Sequence, residues 1–153
     1  MKFLKKILSI TFCLLMLSSC GYKIVNQNSS IKISSFEING DNKIKRKLEN
    51  NFSRYLDTKN YDKTVDVKAN AKISRQVASK DKSGNEISYS LEAEVELYIN
   101  EYDPRTSDKV LFKKNTFFNA LESKFEQKKY EQLKSIELIE QIIVDINNYL
   151  NDY

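Results

Sequence analysis

From Thr64 the chain alternates, with Val65, Val67, Ala69, Ala71 and Ile73 set against Asp66, Lys68, Asn70, Lys72 and Ser74. Side chains of an extended backbone point to opposite faces in turn, so this pattern predicts a strand with one dry and one wet face. The period returns over Ile87, Tyr89, Leu91, Ala93, Val95, Leu97 and Ile99, interleaved with Ser88, Ser90, Glu92, Glu94 and Glu96. Between the two runs lies KDKSGN, residues 80–85, a hairpin loop with Gly84 available for a positive φ. Residues 31–38 predict a first strand with imperfect alternation around Ile31, Ile33 and Ile38. Residues 110–120 predict a fourth, entered through a turn around Pro104, with Val110, Phe112, Thr116 and Phe118 toward the core.

Two stretches change period. Ile44, Leu48, Phe52 and Tyr55/Leu56 form one stripe of a helix that Asp41 is placed to cap. Residues 128–151 predict a longer helix, with Leu133, Ile136, Ile139, Ile142/Ile143, Ile146 and Tyr149/Leu150 on its apolar side and Glu137 and Asp145 on its polar side. Its polar face mixes acids with lysines, which favours packing across a sheet over lying on a membrane surface. The order β-α-β-β-β-α, with one dry sheet face and two one-sided helices, predicts an α+β fold: a two-layer sandwich with both helices on one face of a four-stranded sheet. The other face would carry Lys68, Asn70, Lys72, Glu92, Glu94 and Glu96 to water or to a polar partner.

Upstream of this domain the chain is of another kind. MKFLKK is followed by an apolar run to Leu17 and by Ser18 and Ser19, which reads as a secretory signal peptide over residues 1–19. The run falls short of the roughly 20 residues needed to cross a bilayer core. Leu17-Ser18-Ser19-Cys20 resembles the bacterial lipobox, which implies cleavage before Cys20 and a diacylglycerol thioether on its sulfur, with palmitate-type acyl chains. Residues 20–30 would then be a lipidated tether and residues 31–153 a single domain. Cleavage removes Cys13, leaving no pair of free thiols for a disulfide. It also removes Lys2, Lys5 and Lys6, taking the formal charge from +4 to +1, so the basic balance of the precursor argues for no nucleic-acid partner.

Composition narrows the chemistry. The chain has no His, no Trp, two Cys and three Gly. Imidazole-dependent nucleophile activation, the usual zinc sites and a glycine-rich phosphate loop are therefore all missing their parts. No catalytic residue, metal ligand or cofactor is expected beyond the covalent lipid on Cys20, and the reading is a protein that is not an enzyme. Asp and Glu are numerous, but none sits in an apolar setting that would raise its pKa for acid-base work.

The lipobox, the Cys20-Gly21-Tyr22 that follows, the strand SGNEISYSLEAEVELYI, the aromatic pair in LFKKNTFFNA and a terminal helix ending IIVDINNYL together resemble the LPS-assembly lipoprotein LptE family. The resemblance implies a lipid-anchored protein of the outer membrane, facing the periplasm and the lumen of an LptD-like β-barrel. There it would act as a plug and scaffold that assists barrel assembly and lipopolysaccharide insertion at the cell surface. Gly21, rather than aspartate, after the cysteine agrees with outer-membrane sorting. Basic residues at the hairpin tip and before the last helix are linked to lipopolysaccharide binding in that family. The first position matches Lys82, with Lys80 beside it; the second falls on Gln127, followed by Lys128 and Lys129. The residues alone leave two other classes open: a periplasm-facing outer-membrane lipoprotein that carries lipid outside the translocon, which needs a large apolar cavity, and a cell-wall hydrolase, which needs a catalytic group.

Overall fold

The computed structural model describes residues 31–101 and 107–153. The signal peptide, the lipobox with Cys20, the tether and the turn around Pro104 lie outside the described residues. The elements are β1 (Ile31–Gly40), α1 (Asn42–Leu56), β2 (Lys63–Lys80), β3 (Glu86–Glu101), β4 (Ser107–Asn119) and α2 (Lys124–Asp152), in the β-α-β-β-β-α order expected. The sheet runs β1-β2-β3-β4 in space; β1 and β2 are parallel and the other two pairs antiparallel. A parallel neighbour requires a crossover, and α1 is that crossover.

The turn into α1 is set by two residues. Gly40 has φ 114°, and a Cβ there would lie 1.8 Å from the carbonyl oxygen of Ala71. The backbones meet at this point, where the Asp41 amide donates to the Ala71 carbonyl at 3.2 Å. Asp41 then caps the helix, its carboxylate accepting from the Lys43 amide at 2.8 Å.

Both helices lie on one face of the sheet, α1 over β1 and α2 over β3 and β4. The alternating residues of β2 and β3 meet the helix stripes in one core: Val65, Val67, Ala69, Leu91, Ala93, Val95, Leu97 and Ile99 against Ile44, Leu48, Phe52, Ile139, Ile142, Ile146 and Leu150, all buried. Where the helices touch, Asn51 is buried, and its amide donates to Asn147 at 2.7 Å; the Tyr55 hydroxyl donates to the same oxygen at 3.1 Å. Lys47 pairs with Glu140 at 2.6 Å on the rim of that contact.

Three expectations are corrected. β2 and α2 are longer than the pattern indicated, reaching Lys80 and starting at Lys124. The added β2 residues are exposed, so burial left no alternation there to read; Ser123 caps α2, its hydroxyl accepting from the Glu126 amide at 3.4 Å. Leu133 and Ile136 are not core residues but are 56% and 38% exposed. The sheet-facing stripe of α2 is centred on Ser135, Leu138, Ile139, Ile142 and Ile146, so the apolar arc seen in sequence is wider than the sheet it meets.

Candidate functional site

The family-matched lysines sit at the end of the molecule where β2 turns into β3. Asp81 builds that turn. One carboxylate oxygen accepts from the amides of Ser83 and Asn85, both at 2.8 Å, and the other from the Asn85 side chain at 2.9 Å. The backbone closes with Gly84 at φ 86°, its amide donating to the Asp81 carbonyl at 3.0 Å. These bonds, the Asn85 side chain first, hold the Asp81 carboxyl below the usual aspartate range. Lys80 and Lys82 flank Asp81, are exposed and make no ion pair among the described residues.

Lys128 and Lys129 lie one turn into α2 and are likewise exposed and unpaired among the described residues. Gln127, at the second family position, is buried and has a different task. Its side-chain carbonyl accepts from the Leu121 backbone amide at 2.7 Å and its side-chain NH2 donates to the Glu131 carboxylate at 3.2 Å, so it fastens the loop between β4 and α2. Glu131 in turn takes Arg75 of β2 at 2.6 Å, and the Arg75 guanidinium lies 4.7 Å from the centre of the Tyr89 ring. The Tyr89 hydroxyl donates to Glu86 at 2.8 Å, which raises its pKa.

This chain of contacts brings the two lysine pairs to one end of the protein. Lys80 is five residues along the strand from Arg75, about 17 Å at a strand's rise, while Lys128 is less than one turn from Glu131. The pairs therefore share an end without forming one cluster. Sequence reasoning missed Arg75 and Glu131, and named Gln127 only as the residue at the second family position, because their link spans separate elements.

The same end exposes apolar groups: Val77, Ile87, Phe117, Leu121 and Phe125, the last 77% exposed. Ile87 continues the apolar alternation of β3 and Val77 lies on β2 opposite Tyr89, yet both remain exposed. A shallow depression of about 560 Å³ beside them is lined by Ser88, Phe117, Phe118, Asn119, Leu121 and Tyr130. It is open to solvent, as are depressions of about 450 Å³ around Gly40 and Lys72 and about 320 Å³ around Lys63 and Tyr153.

The open sheet face is polar, as expected, and its charges pair across strands. Lys113 reaches Glu92 at 2.9 Å and Glu94 at 3.1 Å, Lys109 reaches Glu96 at 2.5 Å, and Lys68 reaches Glu37 at 3.5 Å. Lys113 pulls the Glu92 carboxyl down and Lys109 that of Glu96, the opposite of what a general acid needs. Among the described residues no group of His, Cys, Asp and Glu could hold a metal ion, and no helix is long and apolar enough to cross a membrane.

No protein-family model matches the chain, and no curated protein matches it by sequence. Solved structures do share its fold. The minor lipoprotein from Acinetobacter baumannii superposes with a TM-score of 0.57 at 11% identity, over 81% of this chain and 92% of that one. Rare lipoprotein B from Shewanella oneidensis superposes with a TM-score of 0.52 at 13% identity, over 78% of this chain and 89% of that one.

Proposed function

We propose that this chain is a lipid-anchored outer-membrane protein of the LptE type, a plug and scaffold subunit of the lipopolysaccharide translocon that helps an LptD-like barrel to assemble. One coincidence carries the reading: the lipobox at Leu17–Cys20 precedes a domain with the fold of rare lipoprotein B, itself LptE under another name. The site chemistry supports a binding role over a catalytic one. The open-face carboxylates Glu92, Glu94 and Glu96 are paired with lysines, which hold those of Glu92 and Glu96 below the usual range, and the lysines at the hairpin end are unpaired and available to an anionic ligand such as a lipid A phosphate. A lipid carrier outside the translocon would need an enclosed apolar cavity, and the depressions described above are shallow and open.

The test is affinity purification of the tagged chain from outer membranes in mild detergent. One stoichiometric β-barrel protein, with lipopolysaccharide retained, is the expected result. Recovery of the chain without any barrel protein overturns the reading.

A further inference from the structure

β1 and β2 part company at Gly40. The Asp41 amide makes the last bond to β2, at the Ala71 carbonyl, and α1 then leads away. β2 runs on to Lys80, paired with β3 as far as Lys80 opposite Glu86. Beyond Ala71 no described strand lies on its other side.

The direction of the free groups follows from that last bond. Ala71 turns its carbonyl toward β1, and backbone groups of a strand alternate in side, so Ile73, Arg75 and Val77 turn their N–H and C=O away from β3. Residues 75–80 are exposed, and Val77 is 40% exposed on the side-chain face that continues the core. Natural sheets blunt such edges with bulges and charge. β1 has a register shift between Ile33 and Ser35, and β4 carries Lys109, Lys113 and Lys114; the β2 edge carries Lys72, Arg75 and Lys80 but shifts register only after Val77, so the groups of Ile73, Arg75 and Val77 stay in line.

Three occupants come into question, and two fail on geometry or charge. Residues 20–30 enter β1 at Ile31, and at full stretch reach about 40 Å. Returning along β1, about 33 Å long, they would clear Gly40 by only about two residues. A second copy paired antiparallel through Ile73, Arg75 and Val77 would set Arg75 of each chain opposite Arg75 of the other, and like charges directly opposed are destabilising. Lys72 and Lys80 make no ion pair among the described residues. That charge pattern fits a strand with acidic ends.

We propose that the edge of β2 over residues 72–80 takes up a β-strand from another protein, apolar and polar in alternation and acidic at its two ends. Main-chain bonds to Ile73, Arg75 and Val77 supply affinity, and Lys72 and Lys80 supply selectivity. The inference does not rest on the translocon reading.

Amide hydrogen exchange on the full chain in detergent tests it, with two synthetic peptides of matching length as probes: alternating Val and Thr with Glu at both ends, and the same with Lys at both ends. The Glu-ended peptide should slow exchange at Ile73, Arg75 and Val77 by at least about tenfold, leaving Lys72, Ser74 and Gln76, already bonded to β3, unchanged. The Lys-ended peptide should give no protection at the same concentration. Lys72→Glu/Lys80→Glu should reverse the preference, and Val77→Pro, which removes one outward N–H, should abolish protection while Val77→Thr keeps it. No protection by the Glu-ended peptide, or equal protection by both, overturns the proposal.

Discussion

Arg75 on β2 and Glu131 on α2, separated by 56 residues in sequence, meet at 2.6 Å and join the hairpin to the helix that carries the second lysine pair. The pair is partly solvated, with side chains 46% and 21% exposed, so its coupling is modest, about 1 kcal/mol at most. A double-mutant cycle of Arg75→Ala and Glu131→Ala by denaturant unfolding should return that value. Glu131→Ala alone should cost more than Arg75→Ala, because Gln127 also loses its partner. Zero coupling would detach the hairpin from the helix.

The corrected stripe of α2 gives a sharper contrast. Leu138→Asp and Ile139→Asp bury an unpaired carboxylate and should cost several kcal/mol, about 3 or more. Leu133→Asp and Glu137→Ala should stay within about 0.5 kcal/mol. Asp145→Ala should fall between, since Asp145 pairs with Lys114 at 2.6 Å. Thermal or urea melts of the five variants decide the matter; equal losses at positions 133 and 138 would contradict the packing.

Acid should loosen the hairpin tip before the core. Asp81 titrates below its ordinary value of 3.8 in the folded chain, so the stability it contributes is fully present above that value and is lost as pH falls through the lower folded value. Asp66, held down first by the Ser34 hydroxyl and then by that of Ser35, behaves in the same sense at the β1–β2 seam. A carboxyl titration by NMR should place both midpoints below 3.8, and Asp81→Ala should speed amide exchange at Ser83 and Asn85 selectively. A midpoint at or above the ordinary value would refute the turn geometry.

Charge reversal tests the lipopolysaccharide reading. Lys80→Glu/Lys82→Glu should weaken retention of purified lipopolysaccharide without loss of fold or barrel co-purification, and Lys128→Glu/Lys129→Glu should do so too. Binding by the unaltered protein should weaken with salt, since exposed charges are screened beyond about 8 Å at physiological ionic strength. Unchanged retention in both variants would remove these lysines from the site and leave the scaffold role alone.

Anchoring is checked at one atom. Metabolic labelling with a fatty-acid analogue should mark the chain and vanish in Cys20→Ala, with the variant lost from the outer-membrane fraction. Persistent label in the variant would rule out the lipobox reading.

The elements were legible in sequence because burial writes its period into the chain. Val65 to Ala71 and Tyr89 to Ile99 alternate since one face of the sheet is covered, and Ile44, Leu48 and Phe52 recur at helical spacing since one side of α1 is covered. From those periods came the order of elements and the two-layer arrangement, and from local chemistry the Asp41 cap and the Gly84 turn. Tertiary structure decided what no local pattern contains. Whether an apolar residue is covered depends on how far the opposing element reaches, which is why Ile87 and Leu133 continue their patterns yet remain exposed. Contacts such as Arg75 with Glu131 and Gln127 with Leu121 draw on the three-dimensional meeting of a strand, a helix and a loop. The free edge of β2 exists only because β1 stops at Gly40 while β2 continues, a difference in strand length that becomes visible once the two are placed in register.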